Sequence, residues 1–250
     1  MSHSNSAYSE AELRLFSQLQ AFGYRPDVIF DIGASNGVWS KLVDDIFPSA
    51  TYHLFEPLAD TIETYRLPLA ELLPTQTNFH LHKIGLGDRN QIQEMAIFEG
   101  GVGSTFLEME RIKSQQESLK VSSRLEEIAP FSIYRMDDYV AQQQLPLPQI
   151  VKMDTQGFEL AIIEGGHQTL KTADILVLET WLYRGYGVTT PLLHELMQPL
   201  EKLGFILVDF GDGYWGHQHK LTAIDAFFMR TDFLDAMEQK TSQWKWKIWN

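Results

Sequence analysis

The stretch of sequence that decides the fold is Val28-Ile29-Phe30-Asp31-Ile32-Gly33-Ala34-Ser35-Asn36-Gly37. Its first five residues form a short, mostly apolar run, which is typical of a strand buried inside a sheet. Two glycines follow, and a segment with helical periodicity begins at Val38. Glycine lets a backbone approach a ligand where a side chain would collide. The stretch therefore predicts a strand, a ligand-binding turn and a helix.

Strands and helices continue to alternate along the chain. Further strands are predicted at residues 51–55, 79–84, 149–154 and 174–178, and helices at 38–46, from Pro57 toward Leu73, at 158–170 and at 192–203. The last two strands, 205–210 and 223–229, are too close in sequence for a crossover helix and should pair antiparallel. The alternation predicts an α/β fold in which helices cover both faces of a mostly parallel sheet. Ligands on such sheets bind at the carboxyl ends of the strands.

A single domain over residues 1–250 is expected, because the sequence has no internal repeat and no low-complexity linker. Residues 1–24 predict an N-terminal helix that stops at Gly23. Residues 92–98 predict an additional edge strand, and residues 100–139 an insertion or lid with a polar helical segment at 108–124. Residues 231–250 are expected to form an aromatic tail, either a closing strand or a segment packed on the body or on a second subunit, so a homodimer is one expectation; an interfacial anchor is the alternative.

The composition excludes several classes of function. The 250 residues are 44% hydrophobic and 21% charged, as in ordinary globular domains, and no apolar run is long enough to span a bilayer. The formal net charge of −13 would repel a polyanion over most of the surface, so we expect no nucleic-acid partner. The chain has no cysteine for a disulfide or a metal site, and its first residues show no secretory signal, so we expect a cytoplasmic protein.

The glycine turn after the first strand distinguishes two kinds of cofactor. A nicotinamide dinucleotide favours Gly-x-Gly-x-x-Gly, but Ser35 occupies the position of the second glycine. Asp31 adds a negative charge that would repel a pyrophosphate and attract the sulfonium and ammonium groups of S-adenosylmethionine. Glu56, at the end of the second strand, is placed to accept both ribose hydroxyls. S-adenosylmethionine is the preferred cofactor, and an NAD(P)-dependent oxidoreductase is the alternative.

Four motifs together resemble the FkbM-type methyltransferases over roughly residues 28–229. They are Asp31-x-Gly33-Ala34-x-x-Gly37, Phe55-Glu56-Pro57, Gly85-Leu86-Gly87-Asp88 and Val151-Lys152-Met153-Asp154-Thr155-Gln156-Gly157-Phe158-Glu159. The last of these is the most specific to the family. The resemblance implies a Rossmann-like class I methyltransferase fold with seven strands, the last one antiparallel. It also implies O-methylation of a sugar or another natural-product small molecule.

We expect the cofactor to be bound by residues of these motifs and of a small-residue loop that resembles one in the family. They are Asp31, Gly33, Ala34, Gly37, Glu56, Pro57, Gly87, Asp88 and, in the loop, Ser104. A catalytically inactive scaffold with this fold is a further alternative. It would predict damage at Gly33, Glu56 or Asp154, and all three residue types are present.

Methyl transfer to oxygen requires a group that orients the acceptor hydroxyl and weakens its bond to the proton. Asp154 follows the fourth strand and is the first candidate for this role, as orienting group, as base, or as ligand of a divalent metal such as Mg²⁺. An Asp at this position also suits a helix cap. His217 and His219 are candidate bases in the loop between the last two strands, although two exposed loop histidines explain them as well.

The acceptor is expected to be a small hydroxylated molecule that contacts residues near the ends of the later strands. These residues are Glu159, Glu179, Trp181, Tyr183, Arg184 and Trp215. Aromatic faces suit sugar rings or flat polyketides, and Arg184 would hold a carboxylate or phosphate. A lid that packs on itself explains the residues after the fifth strand equally well. The second role expected for Glu159 is to brace the loop across the start of the following helix. Lys152 needs a carboxylate partner if it is buried, and Glu179 is expected either as that partner or as a second acid in the pocket.

Overall fold

The computed structural model describes residues 10–107, 124–215 and 220–241. The strands are β1 Val28–Ile32, β2 Thr51–Phe55, β3 Phe79–His82, β4 Gly85–Gly87, β5 Gln91–Phe98, β6 Leu125–Arg135, β7 Ile150–Met153, β8 Ile175–Trp181, β9 Phe205–Trp215 and β10 Leu221–Arg230. The helices are α1 Glu10–Ala21, α2 Val38–Asp44, α3 Glu63–Leu72, α4 Met136–Gln142, α5 Glu159–Gly165, α6 His167–Leu170, α7 Leu193–Lys202 and α8 Thr231–Lys240, and a 3₁₀ turn at Leu73–Thr75 follows α3.

Seven of these strands form the main sheet, in the order β3-β2-β1-β7-β8-β10-β9. Neighbours from β3 to β8 are parallel, whereas β10 is antiparallel to both β8 and β9. All five residues of β1 are buried, as expected of a strand at the centre of a sheet covered on both faces. The Rossmann-like fold with seven strands and an antiparallel final strand is therefore confirmed.

A second sheet, β4-β6-β5, was not expected from the sequence. The predicted strand at 79–84 ends at His82, and the predicted turn at 85–87 is the short strand β4. Part of the segment predicted as an insertion consists of β6 and α4, and the strand predicted at the edge of the main sheet, β5, pairs with β6. Only one residue of β6 is fully buried, so the strand lacks the apolar alternation that sequence analysis relies on. The predicted helical segment at 108–124 lies, apart from its last residue, outside the described residues.

Two helix predictions also need correction. The single helix predicted at 158–170 is divided into α5 and α6 at Gly165 and Gly166. A β-carbon on Gly165 would lie 1.8 Å from the backbone oxygen of Gly87, so glycine is required for α5 to pack against β4. The first ten residues of the predicted tail form α8, which buries Phe233, Leu234 and Met237. Residues 242–250 lie outside the described part. None of the helices in the described ranges has the length and hydropathy of a membrane span.

Candidate functional site

A cavity of about 750 Å³, part of it open to solvent, lies at the carboxyl ends of β1, β2 and β7. The lining includes the predicted residues Gly33, Glu56, Pro57, Ser104 and Asp154. It also includes residues that sequence analysis did not select, namely Ser35, Phe55, Tyr65, Leu86, Met95, Phe106, Thr155, Gln156 and Phe158.

The turn after β1 is packed tightly against the loop after β7. Gly33 has a φ of +79°, and a β-carbon at this position would lie 2.1 Å from the backbone oxygen of Asp154. Ser35 also has a positive φ, of 53°, which is unusual for a residue with a side chain. Gly37 has a different reason for being glycine, because a β-carbon there would lie 2.8 Å from Leu72. Gly33 therefore shapes the cavity, and Gly37 allows α2 to pack.

Glu56 connects this turn to the end of β2. One carboxylate oxygen accepts a hydrogen bond from the backbone N–H of Ser35 at 2.8 Å, and the other from that of Leu58 at 2.9 Å. The residue is only 5% exposed, and burial raises the pKa of its carboxyl to about 7. The carboxylate is thus part of the cavity wall and is held in place by two backbone donors.

Asp31 lies below the cavity rather than in its lining. It is fully buried, accepts a 2.7 Å hydrogen bond from the Ser40 hydroxyl, and lies 3.8 Å from the Lys152 ammonium. The Lys152 side chain is 12% exposed and also pairs with Asp154 at 3.3 Å. The expected pairing of Lys152 with Glu179 is therefore wrong, because neighbouring strands place Asp31 directly beside Lys152 in the sheet. Burial opposes the charge on Lys152, but Asp154 and Asp31 raise its pKa well above the ordinary value.

Asp154 is the charged group of this cluster that reaches the cavity. Its side chain is 38% exposed, and one carboxylate oxygen accepts a 2.8 Å hydrogen bond from the Gln156 amide. Glu159 is instead fully buried below the loop, where its carboxylate accepts hydrogen bonds from the backbone and hydroxyl of Thr155, both at 2.9 Å. Burial raises the pKa of Glu159 to about 7. Of the two roles expected for Glu159, its hydrogen bonds to Thr155 support the one that braces the loop.

Polar groups on β8 and β10 continue the site beyond Asp154. Glu179 and Asp225 are directly opposite each other on these strands. Burial and the nearby charges of Asp154 and Glu159 raise the pKa of Glu179 well above its ordinary value. Within the described residues, a carboxylate oxygen of Glu179 and the indole nitrogen of Trp181 are buried and have no hydrogen-bond partner. These two groups are suited to a polar ligand, since buried polar atoms are normally paired.

Several predicted site residues do not line the cavity. Arg184 forms an ion pair with Glu195 at 2.6 Å and donates to the backbone of Thr190, so its guanidinium is already occupied. Tyr183 and Trp215 are 53% and 61% exposed. The remaining predicted residues outside the cavity lining are Ala34, which is buried, Gly87, which packs against Phe158, and Asp88, which pairs with Arg89. His217 and His219 lie outside the described residues.

A glycine-rich loop at residues 100–104 covers one side of the cavity. A β-carbon on Gly101 would lie 2.7 Å from the Tyr65 ring, and one on Gly103 would lie 3.1 Å from the Tyr186 hydroxyl. Ser104 lines the cavity and accepts a hydrogen bond from the backbone of Phe98. Gly101 and Gly103 were a signal of close packing, but the sequence does not show which side chains they meet.

The described side chains do not contain a group of three or more His, Asp or Glu residues placed to hold a metal ion. The carboxylates at the site are distributed along three strands, and Asp154 has Lys152 as its nearest charged partner. A divalent metal at Asp154 thus stays a prediction from the sequence, and the described residues around Asp154 do not form a set of metal ligands.

Comparison with known proteins gives one family match and a large group of similar folds. The model of the methyltransferase FkbM domain matches residues 31–207. Among solved structures, the FkbM methyltransferase from Methylobacillus flagellatus KT has a TM-score of 0.49 and 13% identity, over 80% of this chain and 43% of that one. The chain therefore spans less than half the length of that protein. A comparison with curated proteins gives no match.

Two further solved structures show the range of similar proteins. Precorrin-6y C5,15-methyltransferase from Geobacter metallireducens GS-15 has a TM-score of 0.46 and 14% identity, with 92% of this chain and 93% of that one covered. Magnesium protoporphyrin IX methyltransferase from Synechocystis PCC 6803, solved with bound SAM, has a TM-score of 0.46 and 11% identity, over 89% and 77% of the two chains.

Proposed function

Because the chain belongs to the FkbM methyltransferase family, we propose that it transfers the methyl group of S-adenosylmethionine to a hydroxyl oxygen of a small molecule. The observation that carries the proposal is the position of Asp154. Its partly exposed carboxylate stands at the cavity, beside the Gly33 turn and next to the polar groups of β8 and β10. We therefore propose that the acceptor hydroxyl meets Asp154 at the wall of the cavity.

The cavity lining fits S-adenosylmethionine at both ends. The carboxylate of Glu56 is available to the two ribose hydroxyls, which would add donors to an oxygen that already accepts from the backbone. An apolar part suits the flat adenine ring and is formed by Ile84, Leu86, Met95, Phe106 and Phe158. The methionine part would then lie along the turn at Gly33 and Ser35, directed toward Asp154.

The chemistry assigns distinct tasks to the chain's own residues. The bound cofactor supplies an electrophilic methyl group. Asp154 orients the acceptor hydroxyl and takes its proton while the carbon–oxygen bond forms and the carbon–sulfur bond breaks. Lys152 balances the carboxylate charge from below. Glu179 and Trp181 offer an acceptor and a donor to the polar groups of the substrate.

The charges near Asp154 indicate which acceptors are suitable. Asp154 directly follows β7, and Glu179 and Asp225 lie on β8 and β10, where burial raises the pKa of both and favours their neutral forms. Lys152 is the cation beside Asp154 in the described structure. Arg184, which was expected to hold a carboxylate or phosphate, is paired with Glu195. A phosphorylated acceptor would be repelled by the Asp154 carboxylate and would lack a free Arg184 guanidinium to hold it, so we propose a neutral or cationic hydroxylated molecule.

Calorimetric titration of the purified chain with S-adenosylmethionine and, separately, NAD(H), each with and without Mg²⁺, tests the proposal. Micromolar binding of S-adenosylmethionine alone is expected. Binding of NAD(H) alone would replace the proposal with an oxidoreductase, and binding of neither would favour the inactive scaffold. A panel of neutral, cationic and phosphorylated sugars with radiolabelled cofactor then identifies the acceptor class.

Asp154→Asn tests the role of the carboxylate. The variant should bind S-adenosylmethionine within about twofold of the wild type and lose about 10²–10⁴-fold in turnover, the usual contribution of a general base. The matched control is Asp45→Asn, whose side chain is 67% exposed and pairs with Lys41 on the surface. Full activity of Asp154→Asn would contradict the mechanism.

A further inference from the structure

Both oxygens of the Asp154 carboxylate are held by a donor from the protein. One lies 3.3 Å from the Lys152 ammonium, and the other accepts the Gln156 amide at 2.8 Å. Each carboxylate oxygen has two lone pairs, so one on each oxygen remains for a substrate. Two fixed donors on opposite oxygens set the plane of the carboxylate, and thereby the direction of the remaining lone pairs.

The backbone of Gln156 has the conformation needed to place its amide on Asp154. Its φ of 57° lies in the left-handed region, which is unfavourable for a residue with a side chain and is found mostly where function needs it. The Gln156 carbonyl accepts a 2.8 Å hydrogen bond from the hydroxyl of Thr105, which is fully buried and paired with Ala96 of β5. The second sheet thus holds Gln156 in this conformation.

Tyr186 determines which end of the Gln156 amide faces Asp154. Its hydroxyl donates to the amide oxygen of Gln156, so the amide nitrogen is left to donate to the carboxylate. A reversed amide would place an oxygen against the carboxylate. The Tyr186 ring packs edge-on against Trp181 at 5.1 Å, and its backbone N–H donates to Thr190 at 3.0 Å. Burial and the charges of Glu179 and Asp154 raise the pKa of Tyr186 well above its ordinary value, so the hydroxyl keeps its proton.

We propose that Gln156 and Tyr186 are positioning residues, which orient the Asp154 carboxylate toward the acceptor hydroxyl. The inference rests on the proposed function of Asp154 and adds two residues to it. Tyr186 belongs to the loop after β8, on the acceptor side of the site, and Gln156 lines the cavity. The chain of hydrogen bonds therefore couples the acceptor side to the reacting carboxylate.

Nuclear magnetic resonance of the full chain, labelled with ¹⁵N in glutamine side chains, tests the chain of hydrogen bonds without a known acceptor. The Gln156 amide signal is assigned by its loss in Gln156→Met. The signal should shift in both Asp154→Asn and Tyr186→Phe and stay unchanged in Tyr183→Phe, an exposed tyrosine of the same loop. An unchanged Gln156 signal in a folded Tyr186→Phe variant would overturn the proposal.

Kinetics separates positioning from a merely structural role. Tyr186→Phe should lower kcat about tenfold or more, since small misplacements of a catalytic group have such effects, while the KM for S-adenosylmethionine stays within about twofold. In the Asp154→Asn background the same change should cause no further loss. A full additional loss there would show that Tyr186 does not act through Asp154. If the Gln156 signal shifts in both variants as expected but S-adenosylmethionine does not bind, the proposed function is refuted and the series of hydrogen bonds from Tyr186 to Asp154 is not.

Discussion

Replacing Lys152 with methionine removes the positive charge between two carboxylates and keeps most of the side-chain volume. Asp154 can be solvated after this change because it is 38% exposed, whereas Asp31 is fully buried. One Asp31 oxygen is hydrogen-bonded to Ser40, and the other has no hydrogen-bond partner in the described structure. We therefore expect the cost of Lys152→Met to arise mainly at Asp31.

The magnitude follows from the choice that Asp31 then has. Leaving a buried charge without its partner costs about 3–5 kcal/mol, and the alternative is protonation. Burial already raises the pKa of Asp31 above the ordinary value of 3.8. In the unfolded chain Asp31 has the ordinary pKa of 3.8, so a native state that holds its proton costs about 1.4 kcal/mol for each pH unit above that value, or about 4 kcal/mol at pH 7 and about 1.6 kcal/mol at pH 5. The variant should lose about 3–4 kcal/mol at pH 7 and clearly less at pH 5.

Urea unfolding of both proteins from pH 5 to pH 7 measures this difference. The native variant binds one more proton than its unfolded state in this range, so its stability relative to the wild type falls as the pH rises. Lys41→Met is the control, because Lys41 pairs with Asp45 on the surface and should contribute less than about 1 kcal/mol. A loss below 1 kcal/mol in Lys152→Met, or a loss independent of pH, would refute the reasoning.

Three further predictions concern the cavity and the histidines. Gly33→Ala places a methyl group 2.1 Å from the backbone oxygen of Asp154, so calorimetry should detect no S-adenosylmethionine binding. Wild-type affinity would contradict the close approach. Glu56→Gln removes a charged acceptor and should weaken S-adenosylmethionine binding about 10–100-fold by calorimetry, where an unchanged Kd would remove Glu56 from the site. Burial lowers the pKa of His53 and His82 to about 4, so both rings stay neutral in the folded protein while they gain a proton in the unfolded chain below pH 6.5. The free energy of unfolding should therefore fall as the pH falls from 6.5 toward 4. The stability of His53→Phe relative to the wild type should rise over that range, and a flat difference would count against this assignment.

The sequence predicted the centre of the main sheet because β1, β2 and β7 are short, mostly buried and followed by a glycine or an acidic residue. The positions of Gly33, Glu56 and Asp154 followed from the same rule, since parallel strands bring their carboxyl ends to one edge. The β4-β6-β5 sheet was missed for a related reason. Gly85-Leu86-Gly87 has the composition of a turn, and β6 contains Pro130 and many exposed residues.

The partners of the site residues were less predictable than their positions. Gln156 and Tyr186 are separated by 30 residues, and no local pattern indicates that their side chains meet. Similarly, Lys152 could have paired with any of several acidic residues, and only the register of β1 against β7 selects Asp31. Sequence periodicity reports the face on which a side chain lies, but contacts across strands also require the order and register of those strands.

The antiparallel strand β10 has a consequence for how this protein can diversify. Its hairpin with β9 extends past the end of β8, where Leu221 pairs with exposed Trp215, and no residue of the hairpin contributes to the cavity lining in the described structure. Under the proposed function, insertions or substitutions in the hairpin would alter the acceptor side while the Gly33 turn stays intact. Related enzymes would then acquire new acceptors by changing the β9–β10 hairpin, without passing through forms that cannot bind the methyl donor.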